Sequence, residues 1–92
     1  MFARITTYQI RKGRIDDALA LADSIKPEIM EIPGIKYWFN TANDDGSAAL
    51  IAIYASRAAA ETATGIFGRF AEYLESEPKP TGYDVRLHAI NP

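Results

Sequence analysis

Side chains alternate along residues 2–10, with β-branched and aromatic residues prominent in both sets. A period of two positions predicts a β-strand. Neither set is purely polar, which indicates a sheet that is covered on both faces. A similar alternation predicts a last strand over Tyr83–Ile90, after a segment in which Pro78 and Pro80 exclude a helix.

Helical spacing begins after the first strand. Apolar residues recur every three or four positions from Arg14 to about Met30, which predicts a first helix. Pro27 has no backbone N–H to donate, so we expect a kink or a short second segment near Ser24–Lys26.

A second helix is predicted to begin after an N-cap at Ser56 and to run to about Ser76. Its apolar stripe consists of Ala60, Ala63, Phe67, Phe70, Ala71 and Leu74.

Gly34–Tyr54 lies between the two helices and predicts a β-hairpin, with a polar turn at Asn43–Gly46. The order of elements is therefore β-α-β-β-α-β, the ferredoxin-like pattern of the α+β class. This order predicts a four-stranded antiparallel sheet with both helices on one face. The other face is too apolar for water, so we expect a homodimer in which sheet faces sheet.

The chain has 92 residues, which fits a single domain over residues 1–92. A net charge of −2 and the lack of a basic stripe argue against nucleic-acid binding. The sequence has no cysteine, which excludes disulfides and thiolate metal sites. The N-terminus reads as a strand and not as a signal peptide, and no apolar run approaches the roughly 20 residues that span a bilayer. We therefore expect a cytoplasmic protein without a membrane partner.

Three short strings carry a resemblance to a known family. They are the Lys12-Gly13 turn, the Pro33-Gly34-Ile35 entry to the second strand and the passage Ile53-Tyr54-Ala55-Ser56-Arg57. With the order of elements, they resemble the dimeric α+β-barrel superfamily and, within it, the antibiotic-biosynthesis-monooxygenase-like domains. The resemblance implies a homodimer whose two sheets form a barrel. It also implies a cavity for a small aromatic ligand between the sheet and the helices of each subunit.

The chemistry of this family is diverse, so the resemblance does not choose an activity. Some members oxidise phenolic or quinol-like polyketides without any cofactor, and others degrade haem. Haem-degrading members use an asparagine on the first strand and a histidine from the second helix. This chain resembles them poorly, because it has Thr6 at the matching strand position and no histidine over residues 57–77. Polyketide-oxidising members use asparagine, tryptophan and tyrosine, residue types that are present here as Asn40, Trp38 and Tyr8.

The predicted last strand carries two candidate residues on one face. His88, the single histidine, is predicted to take a phenolic or enolic proton near neutral pH. The alternative is a surface histidine without a catalytic role. Arg86 is predicted to hold an anionic oxygen, with a charge pair to Asp84 or to a partner chain as the alternative.

Trp38 and Asn40 point to the same side of the hairpin, and a tryptophan wall with an amide donor suits a flat aromatic ligand. The alternative is a core tryptophan whose indole N–H meets a backbone carbonyl. We expect Ile51 and Ile53 to be the same-face neighbours of this pair. Because asparagine is poorly placed against an apolar helix stripe, we assign the pair to the cavity, an assignment that a bulge would reverse.

The first strand presents a polar and aromatic face made of Arg4, Thr6 and Tyr8. Tyr8 is predicted to donate to a ligand oxygen and Arg4 to balance its charge, with dimer contacts as the structural alternative. The predicted catalytic residues are His88, Tyr8 and Asn40. The predicted substrate-binding residues are Trp38, Arg86, Arg4 and Tyr54, and no metal ligands are predicted.

Three functions remain open. The first is a monooxygenase without metal or flavin, in which a deprotonated phenol or quinol reduces dioxygen. The second is a homodimer that binds a small hydrophobic molecule, or acts in a stress response, without catalysis. The third is an isomerase that uses the same pocket. Oxygen consumption with candidate quinols separates the first function from the other two.

Overall fold

The computed structural model describes residues 1–63 and 66–91, apart from the side chains of Ile66 and Phe67. Four strands, two α-helices and one 3₁₀ helix follow one another along the chain. Their bounds are β1 Phe2–Gln9, α1 Ile15–Ile29, β2 Ile35–Ala42, β3 Ser47–Tyr54, α2 Arg57–Thr62, the 3₁₀ helix Ile66–Tyr73 and β4 Lys79–Asp84.

The four strands form one antiparallel sheet in the order β2-β3-β1-β4. The long connections between β1 and β2 and between β3 and β4 contain the helical segments, which pack on one face of the sheet. The predicted ferredoxin-like fold is confirmed. No helix within residues 1–63 or 66–91 is long and apolar enough to cross a membrane.

The core lies between this sheet face and the helical layer, in two clusters. The larger cluster joins α1 to the 3₁₀ helix; its buried members are Ile10, Ala18, Ala22, Ile25, Ile29, Phe70 and Leu74. The smaller cluster joins α2 to the central strands through Phe2, Ala52, Tyr54 and Ala60. The spacing of the buried residues in α1 is the predicted helical stripe.

The first helix is continuous through Pro27 to Ile29, so the separate segment expected near Ser24–Lys26 is absent from the described structure. Pro27 stands in the last turn, where the missing N–H removes one hydrogen bond and little helix follows.

The second predicted helix is interrupted. Ser56 is the N-cap as expected, and its hydroxyl accepts a hydrogen bond from the Ala59 N–H at 3.1 Å. However, α2 ends at Thr62, and the next helical segment has 3₁₀ geometry. Gly68 within this segment weakens α-helix formation. Residues 64 and 65 of the prediction, and the side chain of Phe67, lie outside the described residues.

The last strand also differs from its prediction, because β4 spans Lys79–Asp84 and not residues 83–90. Pro80 is compatible with this strand because β4 is at the edge of the sheet, where a missing N–H costs no ladder bond on the outer side. The strand stops where its partner begins: Asp84 pairs with Phe2, and the Val85 N–H donates to the Met1 carbonyl at 3.0 Å.

The hairpin has a different register from the predicted one. Trp38 pairs with Ala52 and Asn40 pairs with Leu50, with a bulge between Ile35 and Tyr37. The prediction of Ile51 and Ile53 as same-face neighbours was wrong. The loop between the paired residues Ala42 and Ala48 contains an odd number of residues, and a one-residue change in register moves every side chain to the other face.

Candidate functional site

A cavity of about 590 Å³ lies between the sheet and the helical layer. Its volume is within the roughly 300–1,000 Å³ that is typical of small-molecule sites. All strands contribute through their helix-facing positions, which alternate along each strand. The described lining consists of Phe2, Arg4, Thr6, Ile29, Trp38, Leu50, Ala52, Tyr54, Arg57, Glu61, Ala63, Gly68, Pro80 and Gly82.

One group of lining residues is apolar and centres on Trp38. The indole packs against both core clusters. Its Nε1–H is buried and donates no hydrogen bond to any of the described residues. An unsatisfied buried donor costs about 1–3 kcal/mol, so an acceptor supplied by a ligand or a water would stabilise this wall. The expected alternative, an indole bonded to a backbone carbonyl, is not what the structure shows.

A second group of lining residues is polar and contains Arg4, Tyr54, Arg57 and Glu61. Arg4 is half-buried, and its Nη1 donates to the Ala63 carbonyl at 3.3 Å. Burial raises the pKa of the Tyr54 hydroxyl, and the charge of Arg4 acts in the opposite direction. The phenol therefore stays protonated at neutral pH and can donate a hydrogen bond.

Arg57 enters the same part of the cavity from the first turn of α2. Its guanidinium carbon lies 5.1 Å from the centre of the Phe2 ring, in cation–π geometry. Its Nη2 is 3.9 Å from Asp84 Oδ1, so part of its charge is offset outside the cavity.

Tyr8 and Asn40 form a hydrogen-bonded pair beside the cavity. The Tyr8 hydroxyl donates to Asn40 Oδ1 at 2.8 Å. Burial raises the pKa of Tyr8 to about 12, so at neutral pH the side chain is a donor and not a base. Neither residue belongs to the cavity lining. This hydrogen bond spans β3, which lies between the strands of the two residues, and it satisfies the amide oxygen of Asn40 on the helix side of the sheet.

The predicted site residues thus fall into three groups. Trp38, Arg4 and Tyr54 line one cavity. Tyr8 and Asn40 stand beside it. Arg86 and His88 are exposed and lie beyond the end of β4, so they do not share a strand face. Neither of them lines this cavity.

Two lining residues, Arg57 and Glu61, were not predicted. They are four positions apart, so they stand on one face of α2, and this spacing after the Ser56 cap was the available signal. Within the described residues no group of histidine, aspartate and glutamate side chains is arranged to hold a metal ion.

No protein-family model and no curated protein sequence matches the chain. Solved structures do. A monooxygenase of Streptomyces coelicolor, in complex with the ligand nanaomycin D, is 25% identical, with a TM-score of 0.71 over 99% of this chain and 91% of that one. An antibiotic biosynthesis monooxygenase is 20% identical, with a TM-score of 0.75 over 95% and 100% of the two chains. A protein of unknown function from Nitrosomonas europaea is 14% identical, with a TM-score of 0.82 over 99% and 94%. These likenesses show the fold.

Proposed function

Because the chain has the fold of the antibiotic-biosynthesis-monooxygenase-like domains of the dimeric α+β-barrel superfamily, we propose that it oxidises a small phenol or quinol without a cofactor. The observation that carries this proposal is the cavity, which combines a tryptophan wall with a half-buried arginine. A flat aromatic compound fits between such residues. A structure with the same fold, a monooxygenase of Streptomyces coelicolor in complex with the ligand nanaomycin D, supports a small-molecule ligand for this cavity.

In this proposal the charge of Arg4 stabilises a phenolate oxygen and lowers the pKa of the substrate hydroxyl beside it. Tyr54 donates a second hydrogen bond to the same oxygen, and Trp38 packs against the ring. The phenol proton is released to water, and the electron-rich anion then reduces dioxygen. One oxygen atom forms a C–O bond to the ring where a C–H bond is lost, the other leaves as water, and the phenol is oxidised to a quinone. Tyr8 and Asn40 do not contact the ligand in this proposal, because they lie beside the cavity and not in its lining. For Arg86 or His88 to act on a ligand, the residue would have to reach the cavity of a second copy of the chain.

We also propose that the protein is a homodimer, formed through the sheet face opposite the helices. Tyr37, Phe39 and Tyr83 are 43%, 51% and 54% exposed on the protomer. Tyr37 and Phe39 stack with their ring centres 6.3 Å apart, which makes a flat apolar surface. Phe39→Arg should shift the mass measured by light scattering from dimer to monomer, whereas Lys36→Glu should not. A wild-type monomer at micromolar concentration would contradict this part of the proposal.

The test of the oxidation is dioxygen uptake with 1,4-naphthalenediol, measured with an oxygen electrode and corrected for the spontaneous reaction. Wild type should accelerate uptake, and Trp38→Ala should lose most of the acceleration. Arg11→Gln changes an exposed residue away from the cavity and should retain it. Binding without accelerated uptake would refute the oxidation.

One observation favours a second function, a non-catalytic binding protein. Tyr8, Asn40 and His88, which were predicted to be catalytic, all stand outside the cavity lining. The same assay separates the two functions, because a binding protein takes up the ligand and leaves dioxygen untouched. Conversion of a ligand without loss of dioxygen would instead indicate an isomerase.

A further inference from the structure

We infer that the ligand of this cavity carries a carboxylate and that Arg4 binds it. The inference rests on the proposed function only in placing an aromatic ligand in this cavity. It goes further because it adds a carboxylate to the ligand and names Arg4 as the residue that selects it. The five N–H donors of the guanidinium allow Arg4 to hold this carboxylate beside the phenol oxygen of the proposed reaction.

Most of the hydrogen-bond donors of Arg4 have no acceptor among the described residues. Its side chain is half-buried on the central strand β1, and its hydrogen bond to the described residues is the one to the Ala63 carbonyl. A guanidinium has five N–H donors, so most of them are left for other acceptors.

Arg4 differs from the other arginines of the described chain in what balances its charge. Arg14, Arg57 and Arg69 each have a carboxylate within ion-pair distance, on Asp17, Asp84 and Glu28 respectively. Within the described part of the chain, Arg4 has none. Arg11 and Arg86 are exposed, where water solvates the charge. Arg4 is therefore a half-buried cavity cation without a protein counter-ion.

The strand neighbours of Arg4 leave space around its guanidinium. Arg4 pairs with Ala52 on one side and with Gly82 on the other. Both neighbours are small, so neither fills the cavity in front of Arg4. Tyr54, which stays protonated, lies close enough for the charge of Arg4 to act on its hydroxyl. An anionic group here meets a planar cation and a phenolic donor.

The remaining charges of the lining are Arg57 and Glu61. Their charges are opposite, so the lining carries one net positive charge, counted over Arg4, Arg57 and Glu61. Asp84, near Arg57, is not a lining residue and stands outside this count.

The free-energy cost of binding a ligand beside Arg4 depends on the charge of the ligand. A neutral ligand that displaced water from Arg4 would leave its charge desolvated and unpaired. A carboxylate matches the fork of a guanidinium with two parallel hydrogen bonds and neutralises the charge. With the apolar residues at Trp38, the preferred ligand is an aromatic acid.

The test is isothermal titration calorimetry at pH 7 with 2-naphthoate and with the isosteric neutral 2-naphthamide. Wild type should bind the acid tighter than the amide by about tenfold or more, as expected for a charge-assisted contact. Arg4→Gln should lose this preference while keeping its affinity for the amide, which also shows that the variant is folded. Arg11→Gln should behave as wild type.

The inference is overturned if wild type binds the amide as well as the acid, if neither compound binds, or if Arg4→Gln keeps the preference. The comparison of the acid with the amide on wild type tests the inference even if Arg4→Gln does not fold. Its outcome is separate from that of the proposed oxidation: the acid preference without dioxygen uptake refutes the oxidation alone, and oxidation without an acid preference refutes this inference alone.

Discussion

The substitution Gly82→Ala tests how tightly the sheet packs beneath the cavity. A Cβ added at this position would lie 2.3 Å from Phe2 Cζ and 2.9 Å from Cε2 of the same ring. Ordinary carbon–carbon contacts are about 3.5–4.0 Å, so the Phe2 ring must move by about 1 Å or more. Phe2 is buried, 6% exposed, and the guanidinium carbon of Arg57 lies over its ring, 5.1 Å from the centre. The ring can move only by disturbing these contacts or by entering the cavity that it lines, and either change costs packing.

The expected cost of Gly82→Ala follows from these contacts. Overpacking in a core costs about 1–3 kcal/mol. Replacing glycine by alanine also stabilises by about 0.4–1 kcal/mol through the unfolded state, where the backbone conformation permits it. The packing cost is the larger effect, so we expect a net loss of about 1–2 kcal/mol in the free energy of unfolding. At a urea m-value of about 1 kcal/mol per molar, the midpoint should fall by about 1–2 M.

Gly68→Ala is the matched control, since Gly68 also lines the cavity. A Cβ there would meet no atom of the described residues within 4 Å. We expect its midpoint to equal or exceed that of wild type. Urea unfolding of all three proteins, followed by circular dichroism at one protomer concentration, gives the comparison. A Gly82→Ala midpoint at or above that of Gly68→Ala would refute the reasoning.

Two further predictions concern the helix cap and the buried phenol. Ser56→Ala should lower the free energy of unfolding by about 1 kcal/mol because the Ala59 N–H loses its acceptor, while Ser76→Ala should have little effect; urea unfolding measures both. The pKa of Tyr8 is raised to about 12, so the folded state favours the protonated phenol. Stability should fall as pH rises from about 10 towards 12, by at most about 1.4 kcal/mol per pH unit. Tyr8→Phe should flatten this fall in urea midpoints, and an unchanged slope would contradict the assignment.

The order of elements could be predicted because it depends on local patterns. An element is still identified when its predicted end is wrong by one or two residues. This holds for the alternation in β1, the helical stripe of α1 and the turn before β3. The last strand was misplaced because the alternation was followed over Tyr83–Ile90, whereas the strand begins at Lys79 and contains Pro80. An edge strand tolerates proline, and which strand lies at an edge is a property of the assembled sheet.

The sequence named three residues that line the cavity, and the alternation along a single strand is sufficient for Arg4. Arg4 lies on the helix-facing side of β1 whichever way the hairpin pairs. The neighbours of Trp38, by contrast, depended on the register of a loop, and a one-residue difference replaced isoleucines by Ala52 and Leu50. Arg57 reaches the cavity because α2 packs over the end of the sheet. The Ser56 cap and the spacing to Glu61 indicate a shared helix face, but they do not give the place where the helix packs.

The cavity itself follows from where small residues meet across the two layers. Over one half of the sheet, α1 presents Ile25 and Ile29, and the layers close into a core. Over the other half, α2 presents Ala60 above the strand residue Ala52, and β4 presents Gly82. Small residues on both layers cannot fill the space between them, so a long side chain from the central strand can enter it. Arg4 is that side chain, and the proposed preference for an aromatic acid rests on its charge.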